Sequence, residues 1–141
     1  MRKYVVWMTP QEKARQLRPL IEKAAASLSD ADASMSAELF PQLKYDGSLV
    51  EAGTRINWRG TVKKNGAALW DREENDPDHA PTLWADLDYR DGIRVIPETI
   101  TTITQFHKDE LGWWGDVLYR SNVDGNVYTP EQYAENWELV S

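Results

Sequence analysis

The stretch Gly112-Trp113-Trp114-Gly115-Asp116-Val117-Leu118-Tyr119-Arg120-Ser121 decides the reading of the fold. It packs three aromatics into one short strand-like run. A turn signal follows at Asp124-Gly125-Asn126, then Val127-Tyr128-Thr129-Pro130, and the segment closes on Trp137. Aromatic and β-branched residues bounded by Gly, Asn and Asp read as two short strands and a connection. An echo lies upstream, where Trp58-Arg59-Gly60-Thr61-Val62 leads to Asp76-Pro77 and closes on Trp84. Pro77 stands seven residues before Trp84, and Pro130 stands seven before Trp137. The chain therefore reads as α+β: a helical N-terminus over 1–42, then two small antiparallel β modules over 43–90 and 91–141. Trp58, Trp84, Trp114 and Trp137 are their expected structural closures.

Outward from these modules, helical periodicity holds only at the N-terminus. Lys3 to Met8 reads as a short strand or an ordered lead-in. Thr9-Pro10-Gln11-Glu12 then has the cap, first-turn proline and third-position glutamate of a helix start. Ala14, Leu17, Leu20, Ile21, Ala24, Ala25 and Leu28 follow helical spacing, with a kink or restart expected at Pro19. Ser29-Asp30-Ala31-Asp32 is a second capping signature. A shorter helix is expected from there to about Leu39, burying Met35, Leu39 and Phe40 and stopping at Pro41. The two make a helical hairpin that packs on the β part or serves as an oligomerisation or docking element.

From Leu43 onward, turn dipeptides recur at Asp46-Gly47, Asn65-Gly66, Asp91-Gly92 and Asp124-Gly125, with short strand-like segments between them. Asn65-Gly66 carries the strongest hairpin signal. Ile93 to Ile96 and Thr99 to Phe106 read as strands, the latter because β-branched residues suit them. Asp71 to Asp78 reads as a solvated acidic loop, since it lacks the spacing of a calcium loop.

Composition limits the chemistry. The chain has 141 residues, a net charge of −7, no cysteine and seven tryptophans. A nucleic-acid surface needs clustered Lys and Arg, so the charge argues against one. Without cysteine, neither disulfides nor thiolate metal sites can staple small modules, and packed aromatics must serve instead. No stretch approaches a membrane span, and the first eight residues are too short for a signal-peptide apolar region. Synthesis in the cytoplasm is expected, with no membrane partner. His79 and His107 stand apart from any nucleophile or metal motif, so no catalytic residue, metal or cofactor is expected. Glycoside hydrolysis needs two carboxylates facing each other across a cleft, and small shallow modules are a poor setting for one.

Gly53-Thr54-Arg55-Ile56-Asn57-Trp58-Arg59-Gly60 with Asn75 through Trp84, and Trp114 through Ser121 with Asn126 through Trp137, resemble the family 5/12 carbohydrate-binding modules, or chitin-binding type-3 domains. The likeness is to divergent versions in bacteriophage and prophage tail-region proteins. Ala24 to Pro41 is similar to the helical segment that precedes such modules there. The chain departs from the family at the ligand site. Lys63 stands at the strand-aromatic position of the first copy. The tandem tryptophan is replaced by Ala67-Ala68 and Val123-Asp124, and the only tandem pair, Trp113-Trp114, lies before the strand. The resemblance implies a non-catalytic tail-fibre or baseplate-associated structural protein of the virion. Its partners would be other phage tail proteins and bacterial surface glycan, and it would form a homo-oligomer, by preference a trimer. The alternatives are a true glycan-binding module, with Trp70, Trp113, Tyr119 and Tyr128 as the sugar-stacking rings, and a small glycan hydrolase.

Overall fold

The computed structural model describes residues 9–141, so the expected lead-in over Lys3 to Met8 lies outside the described residues. The chain is α+β, with one long helix followed by several small antiparallel sheets. Helix α1 spans Pro10–Ala25. Its capping box is complete, with the Thr9 side chain accepting from the Glu12 N–H and the Glu12 side chain accepting from the Thr9 N–H. It runs unbroken through Pro19 rather than restarting there. Pro19 is exposed, so the carbonyl it leaves without a donor is open to water.

The expected second helical arm is only one turn, α2 (Asp30–Ala33), followed by a 3₁₀ turn at Ala37–Leu39. Ser34 Oγ donates to the Ala31 carbonyl, and serine is a residue that competes with helix continuation in this way. Met35 is 82% exposed instead of buried, whereas Phe40 is buried. The segment is therefore a helix with a short trailing turn, not a helical hairpin.

The strands follow as β1 (Leu49–Val50), β2 (Arg55–Trp58), β3 (Thr61–Asn65), β4 (Leu69–Trp70), β5 (Trp84–Asp86), β6 (Tyr89–Arg90), β7 (Ile93–Arg94), β8 (Leu111–Trp114), β9 (Val117–Ser121) and β10 (Trp137–Leu139). Two three-stranded antiparallel sheets carry the architecture, β2-β3-β5 and β8-β9-β10, each with its second strand in the centre. Strand pairs β1-β4 and β6-β7 complete the β part.

The two sheets repeat one hydrogen-bond pattern. Asn65 N–H donates to Thr54 O (3.1 Å) and accepts from Gly53 through its carbonyl (3.0 Å). Ser121 does the same with Glu110 (2.9 Å) and Asp109 (2.8 Å). Gly53 and Asp109 both take positive φ, 84° and 71°. After each central strand, Ala80 N–H reaches Asp76 O (2.8 Å) and Tyr133 N–H reaches Thr129 O (3.0 Å). A 3₁₀ turn then delivers Trp84 or Trp137 to the outer strand.

The turns match the dipeptides at Asp91-Gly92 and Asp124-Gly125, but the first hairpin turns elsewhere. β2 and β3 are joined at Arg59-Gly60, where both residues take positive φ (53° and 85°), as a type I′ turn requires. Asn65-Gly66 is not a hairpin turn; Asn65 ends β3 with its side chain buried. The stretch Gly112 to Ser121 is itself the second hairpin, turning at Gly115-Asp116, so Trp113 and Trp114 precede the strand that carries Tyr119 and themselves lie on a strand, β8. The third strand of that sheet is β10, not Val127 to Pro130. Asp91-Gly92 does turn a hairpin, between β6 and β7.

Thr99 to Phe106 is not a strand. Thr104 Oγ1 accepts from the Thr101 N–H (2.7 Å), and Arg94 takes the carbonyls of Thr104 (2.8 Å) and Gln105 (2.9 Å). Local threonine bonds and a guanidinium here replace a ladder.

Three apolar clusters hold the chain together. Ile56, Leu69 and Trp84 sit beneath the first sheet, and Ile96, Ile100, Phe106 and Trp137 beneath the second. The third joins Ala25, Ala33, Ala37 and Phe40 to Val62 and Leu87, so the N-terminal segment covers the other face of the first sheet. Arg55, on β2, fastens it by donating to Leu28 O (2.8 Å), Ala25 O (3.0 Å) and Ala26 O (3.1 Å), carbonyls at and just beyond the end of α1.

Candidate functional site

The tryptophans divide by strand parity. Trp84 and Trp137 are buried, and each indole N–H donates to the carbonyl nine residues upstream, Asn75 O (2.8 Å) and Tyr128 O (2.7 Å). Trp58 and Trp114 are partly buried and pack against the first and second clusters. These four rings build the units and leave little face for a ligand.

The four candidate stacking rings do not form one platform. Tyr119 lies opposite Gly112 and meets Trp137 edge-on, with ring centres 6.3 Å apart, as part of the second core. Trp113 alternates to the opposite face of the sheet. There its indole N–H donates to Arg90 O (3.0 Å), and the Arg90 guanidinium covers the ring at 4.3 Å. Trp70 and Tyr128 are open instead, 53% and 51% exposed. Trp70 lies on β4 beside the exposed Leu49, and Tyr128 lies in the loop before β10.

Tyr128 has a companion that sequence reading does not single out. Tyr133 is 48% exposed, its ring centre is 5.9 Å from that of Tyr128, and the planes are tilted by 41°. Its position just before the closing Trp137 was the available signal. The Tyr128 backbone is held on both sides, its N–H by Asn126 Oδ1 (3.2 Å) and its carbonyl by Trp137.

A cleft of about 630 Å³ lies where β3 and β5 face the segment after β7, with Lys63, Trp84, Asp86, Arg94, Thr99 and Thr101 among its lining residues. Asp86 is paired with Lys63, and Arg94 with Glu110. Two further carboxylates of the lining, Asp88 and Glu98, are exposed and belong to none of the ion pairs among the described residues.

The acidic loop is not uniformly solvated. Asp71 and Asp76 are buried. Asp71 accepts from the N–H groups of Lys44 (3.1 Å) and Tyr45 (3.2 Å). Asp76 accepts from Tyr45 OH (3.0 Å), His79 N–H (2.9 Å) and His79 Nδ1 (2.8 Å). Burial pushes the Asp76 carboxyl up, but these hydrogen bonds outweigh it and hold the pKa below its ordinary value. The hydrogen bond to Asp76, then its charge, raises the His79 pKa. A raised folded-state pKa favours the protonated form, so its contribution is complete below the ordinary value of 6.5 and is lost as pH rises through the higher folded value. Thermal denaturation from about pH 6 to about pH 8 is expected to show the wild type losing stability relative to His79→Gln. Parallel curves would mean that His79 is not coupled to Asp76.

No set of three or more metal-ligating side chains occurs among the described residues, and no helix there is long and apolar enough to cross a membrane. Compared with known proteins, the chain matches no family model and no curated protein.

Proposed function

We propose that the chain is a non-catalytic bacteriophage tail component, fibre- or baseplate-associated, whose two β units are of the carbohydrate-binding-module type. In this reading it serves tail assembly or attachment to the host surface, as a homo-oligomer alongside other tail proteins. The observation that carries it is the duplication. The same tryptophan-closed three-stranded unit occurs twice, with the Trp84 and Trp137 indoles bonded alike, as the resemblance of the two segments implies. Two small units stapled by aromatics suit display and adhesion. Light scattering of the purified chain is expected to give a stable homo-oligomer, with a trimer favoured. Incubation with chitin or cell-wall glycan is expected to release no reducing sugar. A strictly monomeric protein, or one that releases sugar, would sink the proposal.

A second reading, a true glycan-binding module, is favoured by the open faces of Trp70, Tyr128 and Tyr133. Flat rings with apolar faces suit sugar stacking. Under this reading, chitin oligosaccharides or cell-wall fragments produce a saturable change in tryptophan fluorescence. Trp70→Ala removes that change without unfolding the protein, and Trp113→Ala does not. No response to any of these glycans would leave the exposed rings to protein contacts.

A further inference from the structure

Helix α1 touches the body of the protein mainly through Ala25 and through Arg18, whose guanidinium donates to Glu38 O (2.6 Å) and Phe40 O (3.1 Å). It leaves Leu17, Leu20 and Ile21 exposed, Leu20 by 63%. These positions are three and four residues apart and form one row on the helix surface. Lys13 lies one turn before Leu17, and Lys23 three residues beyond Leu20, so a cation stands near each end of the row. None of the ion pairs among the described residues uses either lysine. This apolar, basic surface belongs to a chain with a net charge of −7.

The loop before β10 has the opposite character. The half-exposed rings of Tyr128 and Tyr133 sit together, and the exposed carboxylates Glu131 and Glu135 belong to the same loop. Glu135 accepts a long hydrogen bond from Tyr133 OH (3.4 Å), and neither glutamate has a cation partner among the described residues. An apolar row bearing two lysines thus matches an aromatic pair bearing two glutamates. Pairing of α1 with α1 of another copy fits less well. It would bring lysines together with no acid to meet them, since Glu22 is bonded to Arg18 and Glu12 is used in the capping box.

We propose that copies of this chain assemble head to tail, with the Leu17-Leu20-Ile21 row of one α1 seated on the Tyr128–Tyr133 surface of the next copy and Lys13 and Lys23 facing Glu131 and Glu135. The contact joins two different surfaces, so it closes into a ring or continues as a filament. The inference rests on the reading of the chain as self-assembling and specifies the interface.

The test is light scattering and sedimentation of the full chain. Lys13→Glu with Lys23→Glu, and separately Glu131→Lys with Glu135→Lys, are expected to raise the dissociation constant about tenfold or more. The variant carrying all four reversals is expected to regain self-association. All four side chains are exposed, so circular dichroism should stay native. Leu20→Ser, which alters no charge, is expected to weaken assembly as well. An oligomer unchanged by these variants overturns the interface while leaving self-assembly intact. A wild-type monomer overturns both.

Discussion

Trp137→Ala is expected to remove about 3–5 kcal/mol of unfolding free energy, the range for truncating a buried large aromatic. The ring is buried, meets Phe106 edge-on at 5.1 Å and Tyr119 at 6.3 Å, and lies in the cluster with Ile96 and Ile100. Truncation opens a cavity there. It also removes the indole donor that holds Tyr128 O at 2.7 Å. A domain of this size has roughly 5–15 kcal/mol in total, so the loss is a large share of the whole. Urea denaturation followed by circular dichroism measures it directly. Trp84→Ala should do the same to the first unit, where the ring packs with Ile56 and Leu69 and its N–H reaches Asn75 O. If either midpoint stays where it is in the wild type, that ring is not a closure. Loss of the glycan response in Trp137→Ala would say nothing about ligand contact, because the Tyr128 backbone rests on this side chain.

The duplicated closure was legible in the sequence because it depends on residue types that are scarce and positionally fixed. Pro77 with Trp84, and Pro130 with Trp137, are such pairs. The turns were legible only in part: Asp91-Gly92 and Asp124-Gly125 do turn the chain, but composition cannot tell a residue that tolerates positive φ from one whose side chain is needed inside. Asn65-Gly66 has turn chemistry, yet the Asn65 amide is committed to buried partners. Arg59, which carries no turn signal, takes φ 53° next to Gly60. The Thr99 to Phe106 segment has strand propensity, but two of its carbonyls, Thr104 and Gln105, are claimed by the Arg94 guanidinium, a side-chain contact that residue propensities do not encode. Arg55 is a similar case, an apparently ordinary strand residue that seals the end of α1. Among the candidate ligand rings, exposure depended on the neighbours that each one meets. Trp113 and Tyr119, on opposite faces of one sheet, were taken up by Arg90 and Trp137, while Tyr128 and Tyr133 lie open together on a loop closed by the Tyr133 N–H on Thr129 O.

Asn65→Leu is the second large effect expected, about 3 kcal/mol, because it removes at once three hydrogen bonds made to the backbone by a buried side chain. Asn65 Oδ1 accepts from the Thr54 N–H (2.7 Å), and Nδ2 donates to Glu51 O (2.8 Å) and Ala67 O (3.1 Å). Leucine has similar volume but satisfies none of them. The second unit shows why serine should not rescue the site. Ser121 occupies the equivalent place and donates to Val123 O (2.8 Å), as Asn65 does to Ala67 O. There, however, the buried amide comes from across the unit: Asn126 Nδ2 donates to Ser121 Oγ (2.9 Å). Asn126 pairs with Phe106, whereas the matching position opposite Val50 is Leu69. The two units thus carry the same buried amide on different strands, each with a smaller or apolar partner opposite. Asn65→Ser should therefore cost nearly as much as Asn65→Leu, since Leu69 cannot supply the missing donor. Adding Leu69→Asn to Asn65→Ser rebuilds the polar arrangement of the second unit, but Leu69 also packs with Ile56 and Trp84, so the change carries a cost of its own. Urea denaturation of both single variants and the double should therefore show a loss smaller than the sum of the two single losses. If the two losses simply add, the correspondence between the two units does not extend to their buried polar groups.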